Sequence, residues 1–139
     1  MYCDTSKIVI EPTNKDVVYN IITKKHYANT WTASSNMYAI YHDCGEHKFF
    51  GGKELKLIGC VLYGNPVGFR VVKSIADELT DTDVLELKRL WIEDGYGKNI
   101  ESYCIAQTLK MLKKDSPQTK VVISYADPGV NHKGIIYRA

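Results

Sequence analysis

Several classes of protein are excluded by what this chain has little of. Its four cysteines, Cys3, Cys44, Cys60 and Cys104, are too few and too scattered for a disulfide scaffold. Cys60 and Cys104 lie in apolar stretches and read as small core residues. No apolar run approaches the roughly 20 residues that a membrane helix needs. The opening MYCDTSKIVIEP lacks the apolar core of a signal peptide. There is no repeat, no low-complexity tract and no linker. These absences predict a cytosolic protein with no membrane partner.

What remains is an ordinary globular composition, 45% apolar and 24% charged, in 139 residues, enough for a single domain. A net charge of +2 is too small to announce a nucleic-acid binder, but its distribution is uneven. Residues 1–97 hold 11 Lys and Arg against 13 Asp and Glu, whereas residues 98–139 hold 7 against 3. The basic C-terminal third is able to face phosphate, although such a bias is commonly a solvated face.

Ile8-Val9-Ile10 predicts a short strand closed by Pro12. Asn14 predicts the N-cap of a helix whose apolar face is Val17, Val18, Ile21 and Ile22, running into His26-Tyr27. After a polar loop, Asn36–Tyr41 and Leu55–Tyr63 predict two strands of a hairpin, the second ended by Gly64-Asn65-Pro66. Val84–Ile92 predicts a third strand of the meander. Gly95 and Gly97 break the chain, and Asn99 is expected to cap the longest helix, with Ile105, Leu109 and Leu112 on its apolar face and Ala106 beside them. Lys120–Ala126 reads as a buried strand, and Gly134–Ala139 as the start of a further helix. A helical crossover makes the strands at 84–92 and 120–126 parallel within an otherwise antiparallel sheet. The predicted fold is therefore a single mixed α/β domain, ordered like the GCN5-related N-acetyltransferases, with the parallel pair splaying at Glu93 and Tyr125.

Four constellations carry candidate chemistry. In the strand Glu86-Leu87-Lys88-Arg89-Leu90-Trp91, Glu86 and Arg89 point to opposite faces unless a β-bulge lies between them. The glycine turn opening the helix at Lys98-Asn99, with Ser102 beyond, is an anion-binding geometry, though thinner in glycine than a coenzyme A loop. Asp127 at a strand end, with His132 and Tyr137 following and His26-Tyr27 closing the first helix, groups acid/base and metal-ligating types suited to a divalent ion such as iron. His42-Asp43-Cys44-Gly45-Glu46-His47 looks like a metal box but lacks the second ligand pair of a zinc site, and reads as a hairpin loop.

Taken together, the His26-Tyr27 pair, ELKRLW, the NIES helix start, SYADP and the closing GIIYRA resemble the phage Mom family, DNA-modification enzymes of the GCN5-related acyltransferase fold. The resemblance implies conversion of adenine in double-stranded DNA to N6-(carbamoylmethyl)adenine, protecting phage DNA from restriction in the cytoplasm of the infected host. It implies His26, Tyr27 and Asp127 in metal or acid/base roles, and Arg89, Ser102 and Tyr137 near the donor or the base. The expected catalytic set is Asp127, Arg89, Tyr137 and Glu86, and the expected donor site is Arg89, Lys98, Asn99 and Ser102. The donor is acetyl-CoA or glycyl-tRNA, with tRNA then a second partner and iron left open. Family chains continue beyond this point, so a sheet incomplete at its C-terminal end is also expected. The competing readings are a conventional CoA-dependent N-acetyltransferase and a truncated, non-catalytic relative.

Overall fold

A computed structural model of the chain describes residues 4–25, 31–46, 53–66, 83–124 and 135–138. After a short 3-10 turn at Thr5–Lys7 come β1 (Ile8–Pro12), α1 (Lys15–Lys24), β2 (Asn36–Glu46), β3 (Lys53–Gly64), β4 (Val84–Ile92), α2 (Ile100–Asp115), β5 (Val121–Ser124) and β6 (Ile135–Arg138). The six strands form one sheet in chain order. β1 to β4 are an antiparallel meander, β4 and β5 are parallel through the α2 crossover, and β5 and β6 are antiparallel. The mixed sheet with one parallel pair is the architecture expected from the sequence. Pro12 stands on the edge strand β1, where a missing N–H is tolerated.

Among the described residues, one helix packs on each face. Val18, Ile21 and Ile22 of α1 cover Ala39, Cys60 and Leu62. The opposite face carries Tyr38, Ile40, Ile58, Val61, Tyr63 and Leu85 under Ile100, Cys104 and Leu112 of α2. Asn14 caps α1 as expected, its side chain accepting from the Val17 N–H at 3.3 Å. The buried ridge of α2 is Ile100, Cys104, Thr108 and Leu112, not the expected face: Ala106 is exposed and Ile105 only half-buried. The i, i+4 row won because Thr108 satisfies its hydroxyl internally. It donates to the Cys104 and Ile105 carbonyls at 2.9 and 3.0 Å and accepts from the Tyr63 hydroxyl at 2.7 Å. Thr108→Val removes that acceptor beneath a buried phenol and is expected to cost about 1–3 kcal/mol, read as a lower urea midpoint.

Three further expectations are corrected. Residues 135–138 are a strand, not a helix; Ile135, Ile136 and Tyr137 are β-formers and pair Ser124, Ile123 and Val122. His42 to Glu46 continue β2 instead of forming a loop, with His42 opposite both Ile8 and Lys56. Asn99 makes no side-chain cap: it sits in the left-handed region at φ 65, following Gly95 and Gly97 at φ 100 and 105. An N-cap side chain reaches the first turn from extended backbone, as Asn14 does at φ −130 and ψ 173. The described parallel pairing runs from Val84 opposite Val121 to Leu87 opposite Ser124; the splay expected at Glu93 and Tyr125 lies outside the described residues.

Cys60 is fully buried, and burial pushes its thiol up to about 12. Cys44 is exposed. At mildly alkaline pH, Cys44 is expected to react with a thiol reagent within the mixing time, whereas Cys60 reacts only at the rate of unfolding. Mass spectrometry of labelled peptides checks this.

Candidate active site at the bulge of β4

At Glu86 and Leu87, β4 is flanked by both β3 and β5, and Arg89 to Ile92 pair with Leu62 to Gly59 of β3. β4 carries a bulge. Leu62 stands opposite Arg89 and Tyr63 opposite Leu87, so Lys88 is the extra residue on β4. Side-chain alternation records the same step: Leu87 and Leu90 both pack toward α2, and Trp91 packs toward α1. Arg89, opposite the α1-facing Leu62, therefore shares its face with Glu86, opposite Gly64. The bulge on which a shared face depended is present, between these two residues. The Arg89 guanidinium turns back over it, Nη1 donating to the Lys88 carbonyl at 2.8 Å.

The bulged residue itself is the most informative. The Lys88 side chain is 7% exposed and that of Glu86 13%, and Lys88 Nζ lies 3.6 Å from Glu86 Oε1. That separation is an ion pair but longer than a good hydrogen bond, and Glu86 Oε1 accepts no hydrogen bond among the described residues. Lys88 lines a half-open cleft of about 410 Å³ whose other walls are Thr32, Ala33, Ser34, Ser35 and Asn65. Gly64 makes the wall close-fitting. A Cβ there would lie 2.8 Å from the Ala33 carbonyl oxygen and 3.4 Å from Lys88 Cε. Gly64→Ala is expected to displace residues 32–35 and shrink the cleft, seen as shifted amide resonances of Ser34 and Ser35 in a fold otherwise intact.

On the opposite face, the start of α2 carries a second polar cluster. Lys56 Nζ pairs with Glu93 Oε2 at 3.1 Å, Tyr96 donates to the same oxygen at 3.2 Å, and the His42 and Tyr96 rings stack with centroids 4.9 Å apart. Lys56 holds the Glu93 carboxyl below its ordinary 4.5, and Glu93 in turn raises Lys56. Because the folded Glu93 value is lowered, its contribution is complete above the ordinary glutamate range and is lost as pH falls through the lowered value. Amide-exchange protection of residues 93–99, taken relative to the intrinsic rate at each pH, is expected to fall on acidification, and Lys56→Ala to abolish that acid step. Lys98, Asn99 and Ser102 are all exposed here, with Glu101 in the first turn of α2.

Comparison with known proteins decides the family. The model of the Mom protein family matches residues 7–139. The chain belongs to the Mom protein family. It is similar to the methylcarbamoylase mom of Escherichia phage Mu, with 26% identity over 119 residues, 86% of this chain and 45% of that protein. The chain thus spans less than half the length of this Mom relative.

The Mom motifs distribute over the fold unevenly. Glu86 and Arg89 come to one face at the bulge of β4. Lys98, Asn99 and Ser102 stand at the start of α2, which packs on the other face. Tyr137 lies on β6, opposite Val122 and one strand beyond β5. His26, Tyr27 and Asp127 lie outside the described residues, and their expected convergence with Arg89 lies there too. Among the described residues no three His, Cys, Asp or Glu side chains cluster as metal ligands, and no helix is long and apolar enough to cross a membrane. Lys88 and Asn65 escaped the sequence reading. The available signal was Glu86 and Lys88 two apart in a strand, hence on one face, ahead of a bulge.

Proposed function

We propose that this chain carries the catalytic fold of a DNA-modifying transferase that converts adenine to N6-(carbamoylmethyl)adenine, acting in the cytoplasm of an infected bacterial host and shielding phage DNA from restriction. The observation that carries the reading is the family match over residues 7–139, with a relative named as a methylcarbamoylase. The bulge of β4 supports it. It puts Glu86, Lys88 and Arg89 side by side, with Lys88 in the wall of a cleft.

Adenine N6 is a weak nucleophile because its lone pair is delocalised into the ring, so the chain must orient the amine and accept its proton. Glu86 is the acceptor in this proposal, its Oε1 having unused acceptor capacity. Arg89 orients the donor carbonyl and stabilises the charge that develops on it. Arg89→Ala and Asp127→Ala are each expected to lower modification at least about a hundredfold without unfolding the chain. Carbamoylmethyl nucleoside measured by mass spectrometry, beside the far-ultraviolet circular dichroism of each variant, checks this.

The donor in this proposal is an aminoacyl ester in preference to acetyl-CoA. An N6-glycyl group, N6-CO-CH2-NH2, is an isomer of N6-CH2-CO-NH2. Transfer from glycyl-tRNA with release of the tRNA hydroxyl, then rearrangement, therefore conserves every atom. Acetyl transfer leaves a nitrogen to be found. The start of α2 fits a diphosphate poorly, since Glu101 puts a carboxylate in the first turn. Calorimetry decides between them: heat with glycyl-tRNA and none with acetyl-CoA supports the aminoacyl donor, and micromolar acetyl-CoA binding reverses the preference. Iron at His26, Tyr27 and Asp127 is a separate proposal; metal in the purified chain but not in Asp127→Ala supports it, and none in either removes it.

A further inference from the structure

We infer that the cleft beside Lys88 is the seat of the target adenine after it has left the DNA duplex, an inference that rests on the DNA-modification reading above. The charge of its described walls argues for a neutral occupant. Among the described residues lining the cleft Lys88 is the only charged one, and Glu86 at 3.6 Å balances it, so these walls offer a phosphate no net positive charge. A volume of about 410 Å³ suits a nucleoside, within the range of about 300–1,000 Å³ usual for small-molecule sites.

The hydrogen-bonding groups fit adenine in particular. Ser34 donates its hydroxyl to the Thr32 carbonyl at 3.1 Å, and Ser35 donates to Asn36 Oδ1 at 2.9 Å. Both hydroxyls are left as acceptors, matching an exocyclic amine that donates. Asn65 is exposed at the rim, and its amide offers the donor and acceptor that pair with an adenine edge. Trp31 adjoins the cleft in sequence and packs on Tyr19 with centroids 5.7 Å apart, while Lys15 Nζ lies 5.3 Å from each ring. Two aromatic rings under a lysine form a surface for stacked bases and a neighbouring phosphate. The cleft also meets the bulge of β4 at Lys88, so an adenine seated in it lies next to the Lys88–Glu86 pair. An enzyme acting on N6 must draw the base out of the stack, and this is a place to hold it.

The test uses the whole chain and a short duplex in which the target adenine faces an abasic site and 2-aminopurine is its neighbour in the strand. Anisotropy of an end label reports DNA binding, and 2-aminopurine emission reports the departure of the adenine from the stack. The expected result is an emission change that tracks binding. Asn65→Ala is expected to weaken that emission response about tenfold while leaving binding to fully paired duplex unchanged. Ser34→Ala is expected to act in the same direction, and Lys15→Ala to weaken both duplexes alike. An emission response untouched by Asn65→Ala and Ser34→Ala, with DNA still bound, overturns the inference. So does displacement of the base by inorganic phosphate at constant ionic strength, which marks an anion site. Absence of any anisotropy change overturns the DNA-modification reading itself, and this inference with it.

Discussion

Gly59→Ala is expected to be the most damaging single methyl that can be added to this sheet. A Cβ at Gly59 would collide with the Trp91 carbonyl oxygen and lie 3.0 Å from Ile92 Cα. Neither is the end of a flexible side chain, so relief requires β3 and β4 to move apart. They are held at this level by the Gly59–Ile92 register and by the Glu93 N–H donating to the Ile58 carbonyl at 2.8 Å. Overpacking commonly costs 1–3 kcal/mol, and a backbone collision places this substitution at about 3 kcal/mol. Urea unfolding should show a lower midpoint with an unchanged slope. The same separation would tilt the far half of β4, which carries Arg89, so activity should fall further than the unfolded fraction accounts for.

Lys88→Met is expected to be the second. It leaves the Glu86 carboxylate, 13% exposed, without the ammonium 3.6 Å away. Removing one partner of a buried ion pair costs about 3–5 kcal/mol, and the wide separation and slight exposure put this case near the lower figure. The double variant Glu86→Gln with Lys88→Met removes both charges and is expected to recover most of that stability, because paired buried charges add little over apolar groups of their size. It should not recover modification, since the proposed proton acceptor is gone. Thermal melts of the wild type, both single variants and the double variant measure the coupling directly. Equal melting of the single and double variants would show that Glu86 does not depend on Lys88.

The parts legible in the sequence were those set by local signals. Asn14, the Val18-Ile21-Ile22 face and the runs of β-formers fixed α1 and the meander, and the crossover made the parallel pair follow. The bulge was legible for a different reason: ELKRLW puts two functional side chains on opposite faces unless an extra residue intervenes. Tertiary context decided the rest. His42 to Glu46 look like a turn because polar and glycine residues dominate, yet β3 offers that backbone a ladder and β1 a second one at His42. Ile135 to Arg138 pair with β5, a partner that a short apolar run in sequence cannot reveal. Asn99 has the right chemistry for a cap but follows two glycines whose positive φ values lead the chain into the left-handed region. The cleft was invisible because its walls come from residues 32–35, the end of β3 and the bulge, which meet only because Gly64 permits the approach.

The central claim, that this chain modifies adenine in DNA, is tested most directly by mass spectrometry of nucleosides from DNA of cells expressing it. The cells are run beside others expressing Arg89→Ala and a form extended at the C-terminus. The account predicts N6-(carbamoylmethyl)deoxyadenosine with the wild-type chain or its extended form and its loss with Arg89→Ala. Unmodified deoxyadenosine alone, from cells that contain both forms folded, would contradict it.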